Sequence, residues 1–396
     1  MSHPGVLKTR AILQPQNGDG YTCYCAVDGN GSRVVVGWDT GNQRWLDFYD
    51  LTEDAYAKSN DLNISGIIDG EISGMALAAS GRFMAVGDPY NGNGRGRVAF
   101  YYGEDIWGMR YCGLLEAPGT ADILFGYSCW LNAAGTRLYV GAPSYNNDQG
   151  AILVYDLTVD GNYSWITSNL VATITLPGTD MFGSAVGLSA DETLMAVGND
   201  GADYYNGQVF ILAKEGGGTF QLRDTLLPGD DYYGMFGKGV ALAPEGNVLF
   251  VGASNCSLGL QKNGVVVAYE YTSGAWVKRY HRLPEEGWSW QNLGLNLALS
   301  HDGRVLVAGQ QAMGRVFQTA VYGMAGNVVD DNGQPAQRRL FLHDATTGKL
   351  LDDTTSAADG SFNLAAGSRG SHYALCRDDA GGVAFNAQVL DGVTPL

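Results

Sequence analysis

Side chains able to do chemistry are few and scattered. Asp230 and Asp231, like Glu285 and Glu286, are adjacent carboxylates, the residue types of a glycosidase acid and base. Side-by-side acids on a loop are more simply read as solvated surface. The five histidines (His3, His281, His301, His343, His372) include no His-Glu-x-x-His pair for zinc, and no Gly-x-Ser-x-Gly elbow presents a nucleophile. Cys23 and Cys25 are one residue apart, the wrong spacing for a zinc knuckle. On a strand the two would share a face as buried thiols. Asp302, in Ser300-His-Asp-Gly303, is placed to bond its own turn. The expectation is a non-enzyme with no catalytic residue, no metal and no cofactor.

What remains is a set of aromatic and amide residues in loops: Tyr90, Tyr145, Asn146, Asp148, Tyr204, Tyr205, Tyr232, Tyr233, Trp288 and Trp290. Tyrosine, tryptophan and asparagine give rigid amphipathic area with adaptable hydrogen bonding, as recognition surfaces do. The alternative is that these tyrosines pack structurally between neighbouring elements. Which holds depends on the scaffold.

The scaffold is a repeat. Six segments share apolar alternation, a turn, a short apolar strand and a closing glycine: Cys25–Gly37, Met75–Gly87, Cys129–Gly141, Val186–Gly198, Val240–Gly252 and Leu297–Gly309. The closing glycines lie 50, 54, 57, 54 and 57 residues apart. Six residues before each stands Gly31, Gly81, Gly135, Glu192, Gly246 or Gly303. That constancy fixes the hairpin register, since a one-residue slip turns every side chain to the wrong face. A third strand follows, as in Gly150–Tyr155, and a more polar fourth ends at proline, as in Leu222–Pro228. Four short antiparallel strands per fifty or so residues predict propeller blades. The sixth unit lacks an outer strand. Thr9-Arg-Ala-Ile-Leu-Gln-Pro15 matches Leu222–Pro228, so residues 7–14 are expected to close blade six. Within a blade, the first and third turns lie on one face of the disc. The second-to-third loops and the blade connections lie on the other, and that face carries the aromatic set.

Phe125-Gly-Tyr-Ser with Val140-Gly-Ala-Pro143, Phe182-Gly-Ser-Ala with Val197-Gly198, and Phe236-Gly-Lys-Gly with Val251-Gly-Ala-Ser254 resemble FG-GAP repeats, the blades of integrin-α-type propellers. The resemblance spans roughly residues 20–315. Many blades of that family carry an Asp-x-Asp-x-Asp-Gly calcium loop. Here those positions read Leu131–Gly135, Leu188–Asp191 and Leu242–Gly246, each with no more than one carboxylate. Calcium wants six to eight oxygens, so the family's metal function is not carried over.

From Val321 the pattern changes to short alternating strands between Asp-Asn-Gly, Thr-Gly and Asp-Gly turns, which predicts a small β-sandwich over 321–396. Its order resembles the carboxypeptidase-regulatory-like (transthyretin-like) sandwich. Asn386–Pro395 is similar to the C-termini of tailed-bacteriophage virion proteins.

Composition bounds the rest. Glycine is 57 of 396 residues, yet 45% are hydrophobic, so the glycines serve turns in a packed protein. A formal charge of −17 disfavours nucleic acid, whose phosphates would repel it. No apolar run is long enough for a membrane span, and the first residues lack the apolar core of a secretory signal. The expected protein is all-β, with a six-bladed propeller over 1–320 and a sandwich over 321–396. The expected role is a structural component of a tailed-phage virion, made in the host cytoplasm, in the tail or its host-facing tip. Expected partners are other tail proteins, in several copies, and a host surface protein or glycan. The alternatives are a free glycan-binding lectin propeller and a capsid decoration protein.

Overall fold

The computed structural model describes residues 7–14, 23–52, 55–103, 109–159, 166–214, 218–228, 234–257, 262–282, 290–319, 322–329, 333–344, 350–356, 358–366 and 372–377. The chain divides into two compact units: Thr9–Phe317, and Gln318–Leu396 together with Met1–Lys8.

The larger unit is a ring of six four-stranded antiparallel sheets, a six-bladed β-propeller. Inner strands of blades I to VI are Cys23–Val27, Met75–Leu77, Ser128–Leu131, Ala185–Leu188, Phe236–Leu242 and Asn296–Leu299. Second strands are Arg33–Asp39, Phe83–Asp88, Arg137–Ala142, Leu194–Asn199, Val248–Ala253 and Val305–Gln310. Third strands are Arg44–Thr52, Arg97–Tyr102, Ala151–Val159, Gln208–Lys214, Val265–Thr272 and Met313–Thr319. Outer strands in blades I to V are Ala55–Asn63, Arg110–Glu116, Ile166–Ile174, Phe220–Leu226 and Ala275–Arg282. Blade VI takes Leu7–Leu13 as its outer strand, beside Met313–Thr319, so the N-terminal segment closes the ring as its sequence match predicts.

Burial explains why the repeat is legible. Second strands such as Leu194–Asn199 and Val248–Ala253 are buried along their whole length, because the flanking blades cover both faces. They therefore read as unbroken apolar runs. The outer strand Ile166–Ile174 is almost wholly exposed and mixes Thr, Ser and Asn with apolar residues. Hydrophobic clusters form between successive blades rather than within one. Val34, Val36 and Trp38 of blade I pack with Val305, Val307 and Val316 of blade VI, and Leu13 joins them.

The hairpin residue six before each closing glycine has positive φ in all six blades, Glu192 (φ 56°) included. Glu192 tolerates this backbone while its carboxylate accepts from the Tyr139 hydroxyl at 2.8 Å and from the Asn132 amide at 3.2 Å.

Closing glycines have a different cause. A Cβ on Gly87, Gly141, Gly198 or Gly252 would lie 1.9–2.1 Å from the carbonyl oxygen of Gly126, Gly183, Gly237 or Gly294 in the next blade. On Gly309 it would lie 2.2 Å from Cys23 O of blade I. Neighbouring backbones approach too closely for any side chain, and the sixth-to-first junction repeats the contact.

The smaller unit has two small antiparallel sheets. Tyr322–Asn327 pairs with Ser361–Ala366, and Arg339–Asp344 lies between Leu350–Thr355 and His372–Arg377.

Candidate functional site

The second-to-third loops of blades II, III and IV contain short left-handed turns. Asn146, Asn147 and Asp148 have φ of 53°, 56° and 64°, and Asp203, Tyr204 and Tyr205 have 48°, 56° and 68°. Each such residue costs about 1–2 kcal/mol without glycine, so something must hold it. The clamp is a backbone pair to the next blade. Met181 N–H donates to Asp148 O at 2.6 Å and Phe182 N–H to Gln149 O at 3.3 Å. Met235 N–H and Phe236 N–H repeat this on Tyr205 O and Asn206 O at 2.6 and 2.9 Å. The phenylalanine before each of these glycines thus seats the loop of the preceding blade.

With their backbones fixed inward, these loops turn several side chains outward. Tyr204 is 94% exposed, Tyr205 58% and Tyr90 46%, and Trp290, in the connection into blade VI, is 50% exposed. Trp290 lies 4.4 Å from the Lys262 ammonium. Tyr145 behaves otherwise, half-buried against the hydrophobic cluster of blades II and III. Asn146 donates to the Gln149 side chain at 2.9 Å, and exposed Asp148 serves the clamp through its carbonyl. Tyr232, Tyr233 and Trp288 lie outside the described residues.

The same face opens at its centre into the ring axis. Inner strands begin there and second strands end there, as the pairing of Ser128 with Gly141 fixes. The mouth is a cavity of about 30 Å³ with Tyr24, Ser73, Tyr127, Ser184, Lys238 and Asn296 in its lining. Lys238 is only 9% exposed. Its ammonium lies 3.1 Å from Asp200 Oδ2 and donates to the Tyr127 hydroxyl. Burial works against its charge, but Asp200, Tyr127 and Tyr24 outweigh that and hold its pKa well above an ordinary lysine's. The Tyr127 phenol is pushed up to about 12, mainly by burial, with Lys238 pulling the other way. Burial also raises Tyr90, which feels Lys238, Tyr24, Glu71 and Asp200.

Sequence reasoning singled out the aromatic loops and not the residues at the ring's centre. The signal was the residue after the glycine in each repeat: Tyr127, Ser184, Lys238 and Leu295. Repeat register places these four on one rim. Lys238 is further set apart by a bulge, since Phe236 pairs with Ala253 but Gly239 with Gly252, leaving Gly237 and Lys238 unopposed. Bulges re-aim side chains in this way.

Deeper along the axis lies a second cavity of about 60 Å³, lined by Leu77, Leu131, Val186, Val240, Leu297 and His301 among others. Toward the opposite face His301 of blade VI reaches across the ring to Leu131 O of blade III, 3.3 Å from Nε2. A carbonyl can only accept, so Nε2 carries the proton and the buried Nδ1, without a hydrogen-bond partner, is bare. Burial lowers the His301 pKa, against the smaller raising effects of that bond, Asp28 and Asp302.

The hairpin carboxylates are held by their own turns. Asp191 accepts from the Ser189 hydroxyl at 2.6 Å and Thr193 N–H at 3.1 Å. Asp302 accepts from the Ser300 hydroxyl at 2.6 Å and Arg304 N–H at 3.0 Å.

No protein-family model and no curated protein matches the chain. Among solved structures it is similar to the crystal structure of a functionally unknown protein from Desulfotomaculum acetoxidans DSM 771. Identity is 12% over 87% of this chain and 89% of that one, with a TM-score of 0.46.

Proposed function

We propose that the protein is a non-enzymatic recognition propeller, a structural component of a tailed-bacteriophage virion that sits in the tail or its host-facing tip. The observation that carries the recognition reading is the outward display of Tyr90, Tyr204, Tyr205 and Trp290 on one face. Large aromatics left in water on clamped loops are poor for folding but good for binding, since little side-chain entropy is lost on contact. The virion reading is supported by the resemblance of the repeats to FG-GAP blades. The C-terminal resemblance to phage virion proteins and the strongly acidic charge add to it.

The experiment is a particle assembly and adsorption assay on the full chain with Tyr90, Tyr204, Tyr205 and Trp290 replaced together by alanine. The quadruple variant is expected to enter particles normally and lose host or partner binding. Normal binding would remove the recognition role. A wild-type chain that never co-purifies with particles in fixed stoichiometry would remove the virion role while leaving recognition open to direct binding tests.

A further inference from the structure

We propose that the axial mouth around Lys238 is a binding pocket for one hydroxyl or hydroxymethyl arm of a neutral saccharide, with the sugar ring resting on the tyrosine rim. The proposal rests on the recognition reading above and names its ligand.

The argument starts from unused hydrogen-bonding capacity. An ammonium has three protons. Those of Lys238 reach Asp200 and Tyr127, and no third acceptor reaches it among the described residues. Asp200 has the complementary gap. Its Oδ2 takes the lysine, while Oδ1 is buried with no hydrogen-bond partner. Its backbone N–H lies 3.1 Å from the Ser184 hydroxyl, which fixes the loop that carries it. A buried carboxylate oxygen left bare is costly. One donor and one acceptor are thus left open on a salt-bridged pair. A hydroxyl oxygen in the cavity satisfies the donor, accepting from Lys238, which lines it while Asp200 holds the ammonium in place from behind. An anion would meet the buried Asp200 and a chain of net charge −17, and a cation would meet Lys238.

Size narrows the choice. A water needs roughly 10–15 Å³ of such space, so about 30 Å³ holds two waters or one hydroxymethyl group, and no sugar ring. The ring would have to stay outside, over Tyr24, with the Ser73 and Asn296 side chains beside it and half-exposed Tyr90 within electrostatic reach of Tyr24 and Lys238. Amphipathic aromatic surface beside mixed donors and acceptors suits a polyol whose faces are apolar and whose edges are hydroxyls.

The test uses the full chain. Methyl α-D-glucopyranoside, methyl α-D-galactopyranoside and methyl α-D-mannopyranoside are titrated by saturation-transfer NMR, followed by monodeoxy analogues of whichever binds and by an array of neutral glycans. At least one hexoside is expected to bind, with one monodeoxy analogue at least about tenfold weaker, because the buried pair loses its partner. Lys238→Met and Asp200→Asn should each lose at least about tenfold. Tyr90→Ala, on the exposed rim and so no threat to folding, should weaken binding as well. No binding to any hexoside or array glycan overturns the proposal, as does binding unchanged in Lys238→Met or Tyr90→Ala. If the array is blank while the aromatic quadruple variant still loses host binding, the face recognises a protein and only the saccharide assignment falls.

Discussion

Replacing Gly198 by alanine tests the account of the closing glycines most directly. The added Cβ would stand 2.0 Å from Gly237 O and 3.1 Å from the Ala185 Cβ. Carbon contacts are attractive only near about 3.5 Å, and both clashing groups beyond Gly198 are fixed, one of them backbone. Blades IV and V must therefore move apart. Overpacking of this kind costs roughly 1–3 kcal/mol. Gly198 O itself accepts Gly183 N–H at 3.1 Å and Ser184 N–H at 3.2 Å, both within blade IV. Because those bonds hold Gly198 within its own blade, the strain falls on the junction, and the expected loss is about 1–3 kcal/mol. Gly66→Ala is the control, because nothing lies within 4 Å of its Cβ and its φ is ordinary. It should be neutral or stabilising by up to about 1 kcal/mol. Urea unfolding followed by far-UV circular dichroism gives both values. A Gly198→Ala protein within about 0.5 kcal/mol of wild type would refute the close-approach argument, since a backbone this adaptable would not need glycine there.

Further outcomes follow from other parts of the ring. Deleting residues 1–14 removes the buried Leu7 and Leu13 and bares the edge of Met313–Thr319, so the truncated chain should aggregate by light scattering. A soluble product of equal heat stability would contradict closure by this strand. His301 binds its proton less readily when folded than when unfolded, so stability should fall as pH drops below about 6.5, by at most about 1.4 kcal/mol per pH unit for this one proton. The His301→Gln variant should show a shallower decline between pH 7 and 5 in urea melts, with Asp28 and Asp302 still present in both proteins. Because Tyr204 combines φ 56° with 94% exposure, Tyr204→Gly should exceed Tyr204→Ala in stability by about 1 kcal/mol while being equally poor at partner binding. EDTA should leave the melting temperature unchanged, since Asp191 and Asp302 already serve their own turns.

The sequence alone determined the blade. Its two glycine positions answer to local or nearly local rules: positive φ at Gly31, Gly81 and their equivalents, and a backbone contact that recurs at five of the six blade junctions, Gly37 meeting the Met75 and Ile72 side chains instead. Period, register, the closing strand at Leu7–Leu13 and the face carrying Tyr90, Tyr204, Tyr205 and Trp290 all follow from that repetition. What the repeat could not express is what happens where six units meet. Tyr145 stands at the loop position of the buried Ala202 and packs inward on an apolar cluster, while Tyr204, two residues further along its own turn, faces water. Lys238 sits in the same motif slot as Ser184 and Tyr127. Its pairing with Asp200, thirty-eight residues away in the preceding blade, depends on the bulge, and its bond to Tyr127, two blades away, arises only in the assembled ring. His301 finds its acceptor in Leu131 on the far side of the ring for the same reason. A periodic pattern specifies contacts between neighbours, whereas groups facing one another across the axis are far apart in sequence and share no period, so only the assembled ring decides them.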